Sequence, residues 1–354
     1  LSFNSLSPQL QMTLDRLDRD TLENLSEVGA TCRSLIMCGN FSDPIRESIL
    51  DAYRKMSRVS GDLISVAVRS SATAEDSPKA SFAGQHDSYL NVQGEKDLLM
   101  SVKQCYASLF NDRAIKYRID NGFSDMQVGQ SVGVQVMVRS DKGSAGVAFT
   151  LEPETGNDNI IYITGAWGLG EAVVQGAVNT DEFYLFKRAL EKDQHPIVYR
   201  VLGDKQNMLV YSKESDKNIV WKQTTPALRD QYILDDDEIT TLGQWCLWIE
   251  KHYQTPMDIE WAVDGLTNQL FIVQARPETI HSQADHHCLT EYQILAPQPE
   301  KRILQGIAVG SKIATGKVVI MYSLDGRDGS HDGIDFHEGD VLVTEMTDPD
   351  WEPL

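Results

Sequence analysis

Two runs in the last third of the chain, MDIEWAV (Met257 to Val263) and LFIVQAR (Leu270 to Arg276), are separated only by DGLTNQ. Both read as strands, and a short Asp-Gly-containing connection between such runs is a hairpin signal. A strand turns successive side chains to opposite faces, so Asp258 and Glu260 share a face, as do Gln274 and Arg276. With Glu260 opposite Gln274, Asp258 falls opposite Arg276. One face then carries two carboxylates, an amide oxygen and a guanidinium. The other carries Ile259, Trp261, Phe271, Val273 and Ala275, which suit a core.

Four polar groups on one face of apolar strands are costly to bury without partners. Hard oxygen donors from Glu260 and Gln274 suit Mg²⁺, which keeps several waters and completes its shell with phosphate oxygens. Arg276 can grip a phosphate with two parallel N–H groups. The competing reading is a surface hairpin with an Asp–Arg cross-strand pair, worth little.

Working outward, DDDEITTLGQWCLWIEKHYQ (235–254) reads as a helix with acidic residues at its start, where they favour the helix dipole. Residues 8–38 carry apolar positions at helical spacing. SDPIRESILDAYRKM opens a second helix, capped by Ser42 or Asp43, with Ile45, Ile49, Tyr53 and Met56 on one face. EKDLLMSVKQCYASLFNDRAIKYRIDNG (95–122) reads as one long amphipathic helix closed by Asn121-Gly122. LISVAV, SVGVQVMV, SAGVAFT, NIIYITGAW and EFYLF read as strands.

Two further stretches are candidates for a ligand site. VAVRSSATAEDSPKASFAGQ (66–85) sets Arg69 at a strand end before small, polar residues whose amides can wrap an anion. Its plain alternative is an exposed connection. GAWGLGEAVVQG (165–176) has glycines that permit close backbone approach, though glycine-rich turns are common. No GxxxxGK[ST] phosphate loop is present.

The 354 residues suggest two units or one domain of two lobes, and 41% hydrophobic residues allow a packed interior. A net charge of −20 disfavours nucleic acid and anionic membrane surfaces as partners, yet a few arginines and a metal suffice to bind a polyanion such as ATP. The five cysteines (Cys32, Cys38, Cys105, Cys246 and Cys288) form no CxxC pair and read as thiols of a reducing, cytoplasmic protein. The periodicity fails over 281–302, which reads as a linker. The glycine-punctuated strands beyond it begin a second, mainly β unit over 303–354.

VAVRSSATAEDSPKASFAGQ, GAWGLGEAVVQGAVNTDEFY, KHYQTPMDIEWAV, LFIVQARPET and VLVTEMTDPDWEP together resemble the phosphoenolpyruvate synthase (pyruvate, water dikinase) family, which is similar to pyruvate phosphate dikinase. The resemblance covers nearly the whole chain. It implies an α+β fold: an ATP-grasp-like, two-lobed nucleotide-binding domain over 1–280, the linker over 281–302, and an incomplete β-rich start of the swivelling phosphohistidine domain over 303–354. It implies ATP and Mg²⁺ as cofactors, with Arg69 and Arg276 on the phosphates as the catalytic pair. Gly84 and Ser88 lie in the matching phosphate-covering loop, Gln135 in the hinge strand beside adenine, and Glu171 in a further nucleotide-site motif. Glu260 and Gln274 match the metal ligands, with Asp258 nearby.

Two departures accompany the match. The family's leading segment, with a GGK-type lysine, is not found ahead of Leu1, and the CHA-type phosphohistidine turn is not found before Leu354. His331 and His337 sit in SHDGIDFHEG, unlike that turn. The resemblance therefore implies an excised nucleotide-binding portion, unable by itself to make phosphoenolpyruvate. Its partners would be pyruvate and the phosphohistidine and pyruvate-binding domains of a homodimeric parent. Two alternatives stand beside it: a sister dikinase acting on another acceptor, such as an antibiotic, and a non-catalytic module that binds nucleotide.

Overall fold

The computed structural model describes residues 6–60, 64–73, 76–77, 80–81, 87–123, 128–212, 219–278, 313–322, 336–344, 347 and 351. Three helices come first: α1 (Leu6–Leu14), α2 (Leu25–Cys38) and α3 (Asp43–Ser60). The helical spacing over 8–38 thus divides in two. Between the halves the Asp18 carboxylate accepts the backbone N–H groups of Asp20 and Thr21, a local alternative that ends a helix. On α3, Tyr53 is buried and Ile49 and Met56 pack beside it, whereas Ile45 is exposed.

The next stretch holds β1 (Ser65–Ala72), β2 (Asp76–Ser77), β3 (Ala80–Ser81), β4 (Ser88–Gln93), α4 (Glu95–Ser108), α5 (Asp112–Asp120) and β5 (Gln130–Val136). Strands β4, β1 and β5 make an antiparallel three-stranded sheet with β1 in the centre. Val66, Val68 and Val92 of this sheet share a core with Leu98, Val102 and Cys105 of α4. The single helix expected over 95–122 is two. Leu109, Phe110 and Asn111 break it, and the Arg118 guanidinium turns back to donate to the Leu109 carbonyl at 2.7 Å.

The larger part comprises β6 (Ser144–Phe149), β7 (Ile160–Trp167), α6 (Glu171–Val174), β8 (Asp181–Phe186), α7 (Lys187–Glu191), β9 (Ile197–Val201), β10 (Asn207–Tyr211), β11 (Ile219–Gln223), α8 (Pro226–Arg229), α9 (Asp236–Tyr253), β12 (Met257–Asp264) and β13 (Gln269–Pro277). Six of its strands form an antiparallel sheet in the order β13-β12-β6-β7-β8-β9. One face buries Ile161, Ile163, Phe183, Leu185, Ile259 and Trp261 against Ile239, Leu242 and Cys246 of α9. Asp235 caps α9 with a reciprocal box: its carboxylate accepts the Glu238 N–H, and the Glu238 carboxylate accepts the Asp235 N–H. Strands β10 and β11 pair as a separate hairpin.

Beyond these, β14 (Val318–Ile320) and β15 (Val341–Val343) pair in parallel. The expected linker, 281–302, lies outside the described residues. Cys32, Cys105 and Cys246 are buried thiols and Cys38 an exposed one; Cys288 lies outside the described residues. No helix among the described residues is long and apolar enough to cross a membrane.

Candidate functional site

The β12–β13 hairpin sets the site. Its register pairs Glu260 with Gln274 and Asp258 with Arg276, as the alternation requires. A bulge follows Glu260, so Trp261 pairs with Ile272 and Val273 is skipped. That one-residue shift changes the expected core. Leu270, Ile272 and Ala275 pack inward, while Phe271 is 38% exposed and faces away. The polar face is untouched because the bulge lies beyond it.

On that face Asp258 Oδ2 accepts two bonds from Arg276, at 2.8 Å from Nε and 2.6 Å from Nη2. Burial pushes the Asp258 carboxyl above its ordinary range, Arg276 opposes that rise, and Glu260 and the buried Glu278 add to it. Glu260 and Gln274 stand one register step along. The Glu260 Oε2 and the Gln274 Oε1 converge on one nitrogen, Nη2 of Arg69, at 3.0 Å in the first case and in a short hydrogen bond in the second.

Arg69 arrives from the other sheet. It lies inside β1, between Ser88 on β4 and Gly133 on β5, and not at the strand's end as its sequence context suggests. The strand runs on to Ala72, and Asp76–Ser77 and Ala80–Ser81 then pair as a two-residue ladder. The amide-rich segment is therefore partly sheet. Side chains of Arg69 and Glu260 remain 25% and 27% exposed, so the junction opens to solvent and a ligand can reach it. A second tie runs beside the first: the Gln135 amide on β5 donates to the Val273 carbonyl at 3.4 Å.

Ser88 is exposed directly across β1 from Arg69, and Gly84 lies outside the described residues. Glu171 opens α6, where Gln175 donates to it at 3.0 Å. Burial raises its carboxyl above the usual value and Gln175 partly restrains that rise. Glu171 is not bonded to the Arg69 group, but its neighbours Leu169 and Ala172 share an apolar cluster with Leu209, Tyr211, Ile219 and Met137, two residues past Gln135. The glycines of this stretch serve that packing: Gly168 has φ +94°, and a Cβ there would lie 2.5 Å from the Leu209 carbonyl oxygen.

Sequence reasoning missed that cluster, since β10 and β11 lie in a region of mixed polarity, and it missed an anchor below the segment before β4. The Asp87 carboxylate accepts from Arg113 at 2.5 Å and from the Asn111 amide at 3.1 Å. The only signal was a charged, polar triplet, NDR, inside an apparent helix. Glu278, directly after β13, also went unremarked.

Chemically, the junction offers two guanidinium groups, Arg69 and Arg276, against three carboxylates, Asp258, Glu260 and Glu278. A polyphosphate placed here needs a further cation. Among the described residues no three His, Cys, Asp or Glu side chains gather as a metal cage. One carboxylate and one amide oxygen aimed at a common positive centre are instead a sparse, hard donor pair of the kind Mg²⁺ accepts when phosphate completes its shell.

Residues 1–294 match the family described as pyruvate phosphate dikinase, AMP/ATP-binding domain. The whole chain is 45% identical to the phosphoenolpyruvate synthase of Aquifex aeolicus, covering 42% of that protein. It is 44% identical, again over its full length, to the phosphoenolpyruvate synthase of Escherichia coli, covering 44% of it. A Helicobacter pylori phosphoenolpyruvate synthase is 45% identical over 96% of the chain and 43% of its own length. The chain thus spans less than half of the curated relatives it matches.

Proposed function

The chain belongs to the pyruvate phosphate dikinase AMP/ATP-binding domain family, and on that premise we propose that it binds Mg·ATP between its two sheets in an ATP-grasp-like manner. The observation that carries this reading is the convergence of Glu260 and Gln274 on a cation supplied by the opposite sheet. Glu260 and Gln274 are the metal ligands, and Arg69 and Arg276 hold the phosphates. Gly84 and Ser88 belong to the segment that covers them. Gln135 and Glu171, with the apolar cluster between them, take the nucleoside end. Asp258 orients Arg276. Mg²⁺, when bound, supplies charge neutralisation on the phosphates, and fixed guanidinium groups add stabilisation as charge moves during phosphoryl transfer.

For the longer protein we propose the reaction its relatives are named for: pyruvate, ATP and water give phosphoenolpyruvate, AMP and phosphate. A phosphohistidine on a swivelling domain, whose start falls within 303–354, would carry the phosphoryl group to pyruvate on a further domain of a cytoplasmic homodimer.

Titration calorimetry tests the core of this. The chain is expected to bind ATP with Mg²⁺, and loss of a charge-assisted phosphate contact in Arg69→Ala should weaken binding by about 1.5–3 kcal/mol. No heat at millimolar ATP, or equal affinity in an Arg69→Ala/Glu260→Ala variant, rules it out. Assay of the full-length protein on pyruvate against other acceptors decides between the synthase and a sister dikinase.

A further inference from the structure

One nitrogen of Arg69 occupies the point to which the Glu260 carboxylate and the Gln274 amide oxygen both turn. These are the same two oxygens that the proposed metal requires, so the argument rests on the Mg·ATP reading. A guanidinium and a divalent cation are like charges and cannot both hold one pair of oxygens. We propose that Arg69 is a gate on the metal site: it occupies the two ligands itself, excludes a divalent cation arriving alone, and surrenders them only when a polyphosphate offers its guanidinium better acceptors.

Three features support a gate over a passive ion pair. The contact spans two sheets, 191 residues apart in sequence, so it is not a local accident of a turn. Arg69 lies mid-strand, paired on both sides, which fixes the origin of the side chain while leaving its head to swing. Its head and the Glu260 carboxylate are both partly open to solvent, so exchange needs no unfolding. Phosphate oxygens also match a guanidinium fork better than one carboxylate oxygen and one amide oxygen do. Metal and nucleotide would then enter together, never metal first.

Mn²⁺ binding to the full chain, read by loss of the free-ion electron paramagnetic resonance signal, tests this without any turnover. Wild type is expected to bind Mn²⁺ alone weakly and to bind it more tightly with a non-hydrolysable ATP analogue. Arg69→Met, which keeps the side chain's length and removes its charge, should tighten Mn²⁺ binding without nucleotide by about ten- to a hundredfold, the worth of charge-assisted bonds no longer in competition. Adding Glu260→Gln to Arg69→Met should abolish the gain. Should Arg69→Met lose its cooperative melt, Arg69→Lys, a point charge without the planar fork, is expected to bind Mn²⁺ alone several-fold more tightly than wild type. Unchanged Mn²⁺ affinity in a folded Arg69 variant overturns the gate. Failure of wild type to bind the analogue with Mn²⁺ overturns the nucleotide reading and, with it, the gate.

Discussion

Glu171, proposed above to take the nucleoside end, is held against the preference of the fold. Burial lifts its carboxyl above 4.5, and the Gln175 amide recovers only part of the cost. The sign follows from proton linkage: the folded chain binds this proton more tightly than the unfolded chain. Stability contributed by Glu171 is therefore lost as pH rises from 4.5 through the folded value. Glu171→Gln should unfold at the same urea concentration as wild type near pH 4 and at a higher one at pH 7. An equal difference at both pH values would show that the effect is packing and not ionisation. Asp258 is lifted in the same direction, but there Arg276 depends on the charge, so an Asn variant would mix the two effects.

At the scale of elements, the buried Lys205–Asp181 pair does the joining that no sequence pattern announces. Both side chains are fully buried. Asp181, at the start of β8, accepts from Lys205 at 2.5 Å, from the Gly203 N–H at 2.8 Å and from the Ile233 N–H at 2.9 Å, so one carboxylate ties β8 to two other segments. Removing one partner of a buried pair leaves the other charge unpaired, and Lys205→Met is expected to cost about 3–5 kcal/mol in chemical denaturation. A loss below about 1 kcal/mol would mean that water or another cation reaches Asp181. The contrast with β12–β13 explains what was legible. A period-2 alternation and a short turn fix a register between neighbours in sequence, and so Asp258, Glu260, Gln274 and Arg276 could be placed on one face. Nothing in that alternation encodes the bulge after Glu260, which moved Phe271 out of the core and Ile272 into it. The break at Leu109–Asn111 escaped for a related reason: it is secured by Arg118 of the following helix and by Asp87 of the segment before β4, neither of which belongs to the periodicity of α4. Arg69 could be singled out from its neighbours, but its strand runs three residues past it because β5 offers partners as far as Gln130.

Among the described residues, the three-stranded and six-stranded sheets are tied together at two places. At one end the chain passes from β5 to β6 through Arg139, whose N–H meets the Asp264 carboxylate at 3.3 Å while its carbonyl accepts the Gly265 N–H at 3.2 Å. At the other, Arg69 and Gln135 reach Gln274, Glu260 and Val273. The first fastening is made by the backbone N–H and carbonyl of Arg139. The second is made of side chains aimed at the proposed ligand site, so a ligand there replaces contacts between the sheets with contacts to both. Binding to the folded chain alone stabilises it by mass action, about 2.7 kcal/mol at about a hundredfold excess over Kd. Because the ligand would touch both sheets, Mg·ATP should raise the melting of both together. Scanning calorimetry is expected to show the transition carrying β1 and β5 and that carrying β12 and β13 shifting upward as one, with the shift lost in Glu260→Ala. If only one sheet responds, the nucleotide sits on that sheet alone, and the junction at Arg69 is a structural strut.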